Sequence, residues 1–458
     1  MFDFNWEFLF DFIEWANKGV ELAWYDAGGL LLGCVVAGMA LGFPVAITFM
    51  LTNILGIFLF SGGWPVLPQI ADNATNLITS FTLSPIPMFI LMGSLFFHTG
   101  LALKVFDALD KLLGKIPGRL CFLTVIGGSL FSTLTGSTMA NTAMLGSLLV
   151  PEMTRRGYSK KMSMGPILGT GGLAMIIPPS SLGVLLASIA QVDVGRLLIA
   201  GLLPGIFLAG LYAGMISFQL WRNPDSAPTY DVEPTPWKEK IYQICVNILP
   251  MGLCVFMVIG FIVLGWATPS ESASFGVVGV FILAAARRAL TWKAFTTSLM
   301  GTIRVAGMVF FILMNSTVFS QLLSMSGASK GLVNWATGFD VTPLVIMTCM
   351  FLVLILLGMF MDQVSMMLIT VPIFYPLAAS LGYDLIWFSL IVLMSLEMAA
   401  TTPPFGLLLF IMLGMVKGTT LFQVAGAAIP FLFCDLILII LLVIVPGLGL
   451  WLPSLMGT

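Results

Sequence analysis

Charge is the scarcest property of this chain. Only 9% of its 458 residues are Asp, Glu, Lys or Arg, where a soluble domain carries roughly a quarter. A water-facing surface over the whole molecule cannot be built at that density. Histidine occurs once, so no His-based catalytic or metal set exists, and with no paired catalytic residues hydrolytic chemistry is disfavoured. The six cysteines (Cys34, Cys121, Cys245, Cys254, Cys349, Cys434) lie in apolar runs without metal spacing and read as small hydrophobes. No phosphate-binding G-x-x-x-x-G-K-[ST] loop occurs, which leaves direct ATP drive unsupported. Asp362 and Asp435 lack the partner motif that an intramembrane aspartyl protease would need. The net charge of −2 identifies no partner, and no nucleic-acid binding is expected. Residues 1–27 have neither a basic start nor a small-residue cleavage site, so no signal peptide is expected.

Apolar runs take the place of charge. The chain is 59% hydrophobic with a mean hydropathy of +1.06, and a membrane span needs about 20 mainly apolar residues. The expected class is an all-α polytopic membrane protein. Residues 1–27 hold six acids with Phe and Trp at near-helical spacing, an acidic amphipathic arm at the interface or a tail packed on a neighbour. Spans follow at about 28–41 and 44–61, then a wet loop, a span at 85–99, and a polar helix at 101–116. The Pro-rich stretch 222–240 is the extended polar linker and divides the chain nearly in half.

The halves match. Thr135–Gly183 and Phe360–Leu408, 225 positions apart, each run from a small or polar break through Pro-x5-Gly-Tyr (Pro151, Gly157, Tyr158; Pro376, Gly382, Tyr383) to Pro-Pro (Pro178-Pro179; Pro403-Pro404). Phe89–Ser94 recurs as Phe311–Ser316, and Leu41-Gly42-Phe43 answers Leu264-Gly265-Trp266. Paired interrupted hydrophobic segments in two halves point to a transporter's binding site. The expected arrangement is a first repeat at 28–221 with a hairpin at about 120–155, and a second at 241–458 with a hairpin at about 341–380.

Basic residues set the orientation. With both termini outside, Lys104–Arg119, Arg155–Lys161, the linker, Arg287–Lys293 and Lys417 fall on the cytoplasmic side; Lys18, Arg196 and Lys330 fall outside. The count requires each broken segment to enter and leave on one face, as a re-entrant hairpin, and makes the repeats inverted.

Non-helical backbone at membrane depth must be satisfied by protein or by a water-filled cavity. The hydroxyls and freed carbonyls of Ser132, Gly136 and Ser137 offer hard oxygen ligands for a small cation, and the helix that follows turns amide donors toward an anion. Ser, Thr and Gly also serve plain helix packing. Asp362 stands at the position of Ser137 in the second copy, where a carboxylate could hold a cation. The breaks at Ile177–Ser180 and Thr401–Pro404 free backbone carbonyls, and Gly171, Gly172 and Gly406 permit close approach. An anionic substrate is expected at Ser137, Thr138, Asn141, Ser180, Thr402 and Gly406. Glu271 is expected to cap a helix; Glu397, one turn before the second break, is a further candidate, and Asp435 is expected to pair with a neighbouring helix or subunit. Arg304 is expected to snorkel from its span end, and His98 to be structural.

The stretches TGSTMANTAMLGSLLVPEMTRRGY, GGLAMIIPPS, GWATPSESA, LGMFMDQVSMMLITVPIF and TTPPFGLLLF, in that order, make residues 28–452 similar to the large membrane subunit of tripartite ATP-independent periplasmic (TRAP) transporters. The resemblance implies an elevator-type, Na⁺-coupled importer of organic acids in the bacterial inner membrane. It further implies a periplasmic binding protein and a small four-helix membrane subunit as partners. Carried over, it puts Na⁺ at Gly136, Ser137 and Thr138 with Gly172 and Pro178 nearby, and at Asp362 with Thr401, Thr402 and Pro403. Many members have Asn where this chain has Leu408, so substrate chemistry is not borrowed from the sialic acid or C4-dicarboxylate systems. A stand-alone sodium:anion symporter is the alternative; an intramembrane enzyme is the more distant one.

Overall fold

Proline, glycine and capping residues decide where the apolar runs break. The computed structural model describes residues 22–60, 68–135, 138–229, 236–339, 341–404, 406–416 and 418–456. Every regular element among them is helical. The first half holds α1 (Trp24–Ala40), α2 (Val45–Phe60), α3 (Pro68–Ile78), α4 (Pro85–His98), α5 (Leu101–Leu112), α6 (Arg119–Thr135), α7 (Thr138–Arg155), α8 (Lys160–Ile176), α9 (Ser181–Ala190), α10 (Val194–Ala200) and α11 (Leu202–Arg222). The second holds α12 (Trp237–Gln243), running through a π-turn into α13 (Leu249–Val263), then α14 (Pro269–Ala286), α15 (Trp292–Met325), α16 (Ala328–Thr337), α17 (Pro343–Gly358), α18 (Gln363–Ser380), α19 (Leu385–Thr401), α20 (Leu407–Met415), α21 (Leu421–Ile444) and α22 (Gly447–Ser454).

Seven helical segments among the described residues are long and apolar enough to cross a membrane, and α8 with α9 adds a span bent by 44°. The chain is a multi-pass membrane protein.

The repeat is carried into local geometry. α7 and α18 begin 225 positions apart, and α8 and α19 both begin and end 225 apart. Each Pro-Pro break holds a cis peptide bond. The turn before α8 closes with Gly157 at φ +81° and Tyr158 N donating to Met153 O at 3.0 Å. Its counterpart closes with Gly382 at φ +78° and Tyr383 N donating to Ala378 O at 3.1 Å. This is the left-handed helix stop that glycine permits at no steric cost, and it explains why Gly-Tyr recurs at both places.

The expected elements differ from the observed ones in a few places. The stretch expected to be a wet loop after α2 contains α3, which at 11 residues is too short to register as a span. The arm expected over 1–27 ends before Trp24, where α1 begins; residues 1–21 lie outside the described residues. The last run is two helices, separated where Pro446 cannot donate to a continuing helix. Arg119, expected among the basic residues of the cytoplasmic side, is buried: it pairs with Asp110 at 2.9 Å and pins the start of α6.

The chain divides into two compact units. The smaller comprises residues up to Leu83, Val305–Met350 and Met367–Asp384. There Phe49 meets Phe319 edge-on at 5.0 Å, and Asn53 donates through Nδ2 to Asn315 O at 2.8 Å. The larger comprises Ser84–Arg304, Phe351–Met366 and Leu385–Thr458. Its centre is α8, against which α6, α7, α19 and α21 pack. Gly165 and Gly169 of α8 make this possible, because a Cβ on either would fall within 2.7 Å of the Phe431 ring on α21. In the same unit His98 takes Ser94 O at 2.8 Å and Ser298 Oγ at 3.3 Å as partners, the structural role expected of it.

Glu271 caps α14 as expected. Thr268 Oγ1 accepts from Glu271 N at 3.3 Å, and Glu271 Oε2 accepts from Thr268 N at 2.8 Å. Thr268→Ala removes the first of these and is expected to cost about 1 kcal/mol, read as a small loss of thermal stability in detergent with unchanged helix content.

Candidate functional site

The larger unit contains both breaks and the second helical tip. α17 ends at Gly358, where α19 lies so close that a Cβ would fall 2.3 Å from Ala399 Cβ. The chain then turns, and Asp362 starts α18. Its carboxylate accepts from Val364 N at 3.1 Å and Ser365 N at 3.3 Å, and the Ser365 hydroxyl also donates to it. Asp362 is therefore an N-cap. A carboxylate has about four acceptor positions; the helix takes three and leaves one directed elsewhere.

A cavity of about 10 Å³ opens beside it, lined by Asp362, Gln363, Met139, Ala400, Leu407 and Leu408 among others. That is room for about one water or one dehydrated small cation. Met139 comes from the start of α7, so the first broken stretch and Asp362 border one space. Ala400 and Leu407 bracket the second Pro-Pro break. Three stretches far apart in sequence thus converge on one carboxylate. Gly136 and Ser137 lie outside the described residues, as does the side chain of Ser132.

The other predicted residues occupy the walls. Thr138 and Thr142 are buried, each with Oγ1 lacking a partner, on the face of α7 toward α8. Asn141 Nδ2 donates to Thr170 O at 3.2 Å, which ties α7 to α8. Gly171 permits that approach, since a Cβ would fall 2.3 Å from Thr142 Oγ1. Ser180 Oγ accepts from Gly183 N at 3.0 Å and caps α9. Pro178 is buried just before it.

At the second break Thr401 donates to Glu397 O at 3.2 Å, and Thr402 to Met398 O at 2.5 Å. Both hydroxyl protons are thus spent on α19, while their oxygen lone pairs remain. Gly406 sits where a Cβ would meet Ala400 O at 2.6 Å and Thr402 O at 2.8 Å; only glycine lets the chain pass those carbonyls. Pro403 is half-buried beside them. Thr401, Thr402 and Pro403 flank the Asp362 cavity through Ala400 and do not line it. Gly172 and Pro178 do not line it either; Gly172 faces Glu397 instead.

Sequence reasoning missed Gln363. It is buried, borders the cavity, and its Nε2 has no partner. The signal was available: Gln363 stands 225 positions after Thr138, at the first residue of the matching helix. Leu408 is fully buried and lines the same cavity, which makes one wall apolar. Among the described residues no three His, Cys, Asp or Glu side chains cluster as a metal site. The oxygen donors among the side chains that line the cavity are the Asp362 carboxylate and the Gln363 amide; the other lining side chains are apolar.

The family model described as "Tripartite ATP-independent periplasmic transporter, DctM component" matches residues 32–448. A C4-dicarboxylate TRAP transporter large permease protein of Rhodobacter capsulatus is 28% identical over 93% of this chain and 99% of its own length. The protein of the same description from Pseudomonas aeruginosa is 30% identical over 82% and 87%. Among solved structures, the YdaH transporter of Alcanivorax borkumensis superposes with a TM-score of 0.59 over 85% of this chain and 89% of that one. Its identity is 15%, so that likeness concerns the fold alone.

Proposed function

The chain belongs to the DctM-component family of tripartite ATP-independent periplasmic transporters, and on that premise we propose that it is the large subunit of a sodium-coupled organic-acid importer of the bacterial inner membrane. It is a transporter subunit and not an enzyme. The observation that carries the coupling is the convergence of Met139, Asp362 and the residues bracketing the second Pro-Pro break on a cavity of about 10 Å³. One cation bound there would offset the Asp362 charge and tie the start of α7, the start of α18 and the end of α19 together. The N-terminus of α7 beside it, at Thr138, would supply donors for an anion, while that of α18 is capped by Asp362 itself. Substrate and cation would then stabilise the same closed arrangement, which is the thermodynamic content of coupling.

The unit that holds the breaks would move as the carrier in an elevator step. The family's three-part description supports a small membrane subunit and a periplasmic binding protein as partners; the basic residues of the loops favour both termini of this chain on the periplasmic side.

Reconstitution separates this reading from its rival. Proteoliposomes holding this chain with its small subunit and binding protein should take up a labelled monocarboxylate or C4-dicarboxylate only with an inward Na⁺ gradient. Equal uptake by this chain alone would make it a stand-alone symporter. Equal uptake in choline buffer would remove sodium from the mechanism.

A further inference from the structure

Span ends meet on one side of the larger unit. α4 closes at His98, the span that opens at Trp237 begins with α12 and the π-turn, and α14 closes at Ala286. α5 follows α4 across Gly100 (φ +70°) and packs on α12 and the π-turn. Its sequence is amphipathic: Leu101, Val105, Phe106 and Leu109 are buried, while Lys104, Asp107 and Lys111 are exposed. Those three stand at helical spacing and share one face. Between that face and the start of the long span lies a cavity of about 310 Å³, lined by Lys104, Asp107, Asp110, Lys111, Gln243 and Asn247. Small-ligand sites begin at roughly this size. None of these residues belongs to the Asp362 cavity or to the Pro-Pro breaks.

What is already paired divides the lining. Asp110 pairs with Arg119 at 2.9 Å, and Lys111 with Glu239 at 2.8 Å. Lys104 and Asp107, one turn apart, have no ion-pair partner among the described residues. The amides are oriented in a relay: Arg287 Nη1 donates to Asn247 Oδ1 at 3.0 Å, and Asn247 Nδ2 donates to Gln243 Oε1 at 2.6 Å. Each amide oxygen already accepts from within the protein, so Gln243 offers the cavity its N–H groups. An ammonium and amide donors therefore stand beside a lone carboxylate. A bare anion would leave Asp107 facing it, and a bare cation would face Lys104. One ligand that carries a phosphate and a primary ammonium a short chain apart satisfies both. Depth points the same way. A span needs about 20 residues and Trp237–Val263 has 27, so the surplus puts α12 at the level of the headgroups. α12 and the π-turn also expose Trp237, Ile241, Tyr242 and Ile244, side chains suited to the membrane–water boundary and to acyl chains.

We propose that this cavity binds the headgroup of an aminophospholipid of the phosphatidylethanolamine class. Lys104 and the Gln243 amide hold the phosphate, and Asp107 accepts from the ammonium. The bound lipid fixes α5 to α12 more firmly than the exposed Lys111–Glu239 pair does alone. The site is separate from the Asp362 cavity and stands whether or not the organic-acid and sodium readings hold.

Native mass spectrometry of the purified full chain in detergent tests it without transport, with dioleoyl phosphatidylethanolamine, phosphatidylcholine and phosphatidylglycerol titrated in turn. The chain is expected to retain one phosphatidylethanolamine in preference to the others. Phosphatidylcholine has a quaternary ammonium that cannot donate to Asp107, and phosphatidylglycerol has no ammonium. Asp107→Asn should weaken phosphatidylethanolamine about tenfold and leave phosphatidylglycerol unchanged, while Lys104→Gln should weaken both. Lys293→Gln, an exposed residue outside the cavity, should change neither. Lys104 and Asp107 are themselves exposed, so thermal stability without added lipid should match the wild type in both variants. Equal retention of the three lipids by the wild type overturns the proposal, as does phosphatidylethanolamine affinity unchanged by Asp107→Asn. Free phosphoethanolamine that displaces the lipid at equal concentration would make this a site for a soluble phosphate ester and overturn the lipid assignment.

Discussion

Asp362→Asn is expected to leave the protein folded and to remove cation-dependent uptake. Asp362 has two separable roles. As the N-cap of α18 it accepts from Val364 N and Ser365 N, and Asn caps about as well as Asp. As the one charged group among the described residues lining the cavity shared with Met139 and Leu408, it supplies the negative charge that a desolvated cation requires, and Asn cannot. A lost charge-assisted ligand costs on the order of 3 kcal/mol, about a hundredfold in cation affinity at tenfold per 1.4 kcal/mol. The measurement is paired: thermal stability in detergent should fall by no more than a few tenths of a kcal/mol, while Na⁺-driven uptake in proteoliposomes falls on the order of a hundredfold. Asp362→Ala loses cap and charge together, so it should add about 1 kcal/mol of instability. Unchanged Na⁺ dependence in a folded Asp362→Asn protein would mean that the carboxylate serves only as a cap.

The second large effect is expected at Gly201, the residue between α10 and α11. A Cβ there would fall 2.2 Å from Ile176 O and 3.2 Å from its carbonyl carbon. Ile176 is the last residue of α8, immediately before the first Pro-Pro break. The obstacle is backbone at a helix end, which cannot rotate away as a side chain can. Gly201→Ala therefore either displaces the end of α8 or fails to pack, and overpacking of this kind costs about 1–3 kcal/mol. Gly426, in the interior of α21, has nothing within 4 Å of its Cβ position. Gly426→Ala should gain about 0.5–1 kcal/mol from helix propensity. The same substitution is expected to move thermal stability in opposite directions at the two sites. A neutral Gly201→Ala would show that the break tolerates movement of the α8 terminus.

Sequence alone determined the membrane class, the matching halves and the breaks, and it singled out Asp362. These signals are local. Proline has no amide to donate, glycine best tolerates the left-handed stop before Tyr158 and Tyr383, and Asp, Ser and Thr cap the helices that follow. Each acts on the backbone within a turn of itself, so it can be read without knowing what lies across from it. That is why α8 and α19 keep one 225-residue spacing at both ends. The helix α3 escaped because its signal is neither a long apolar run nor a break.

Tertiary structure decided which residues meet. Gln363 reaches the Asp362 cavity through the turn of α18, and Leu408 through the second break. Asn141, expected at the substrate, is tied to Thr170. Glu397 was visible as a buried acid, but that it rests on Gly172 rather than on the break follows only from how two helices cross. Such contacts depend on which small residue faces which large one across a crossing, and residues 225 apart carry no local trace of it. The repeat shows where two halves correspond; the packing at Gly172 and Glu397 shows where, and how unequally, they touch.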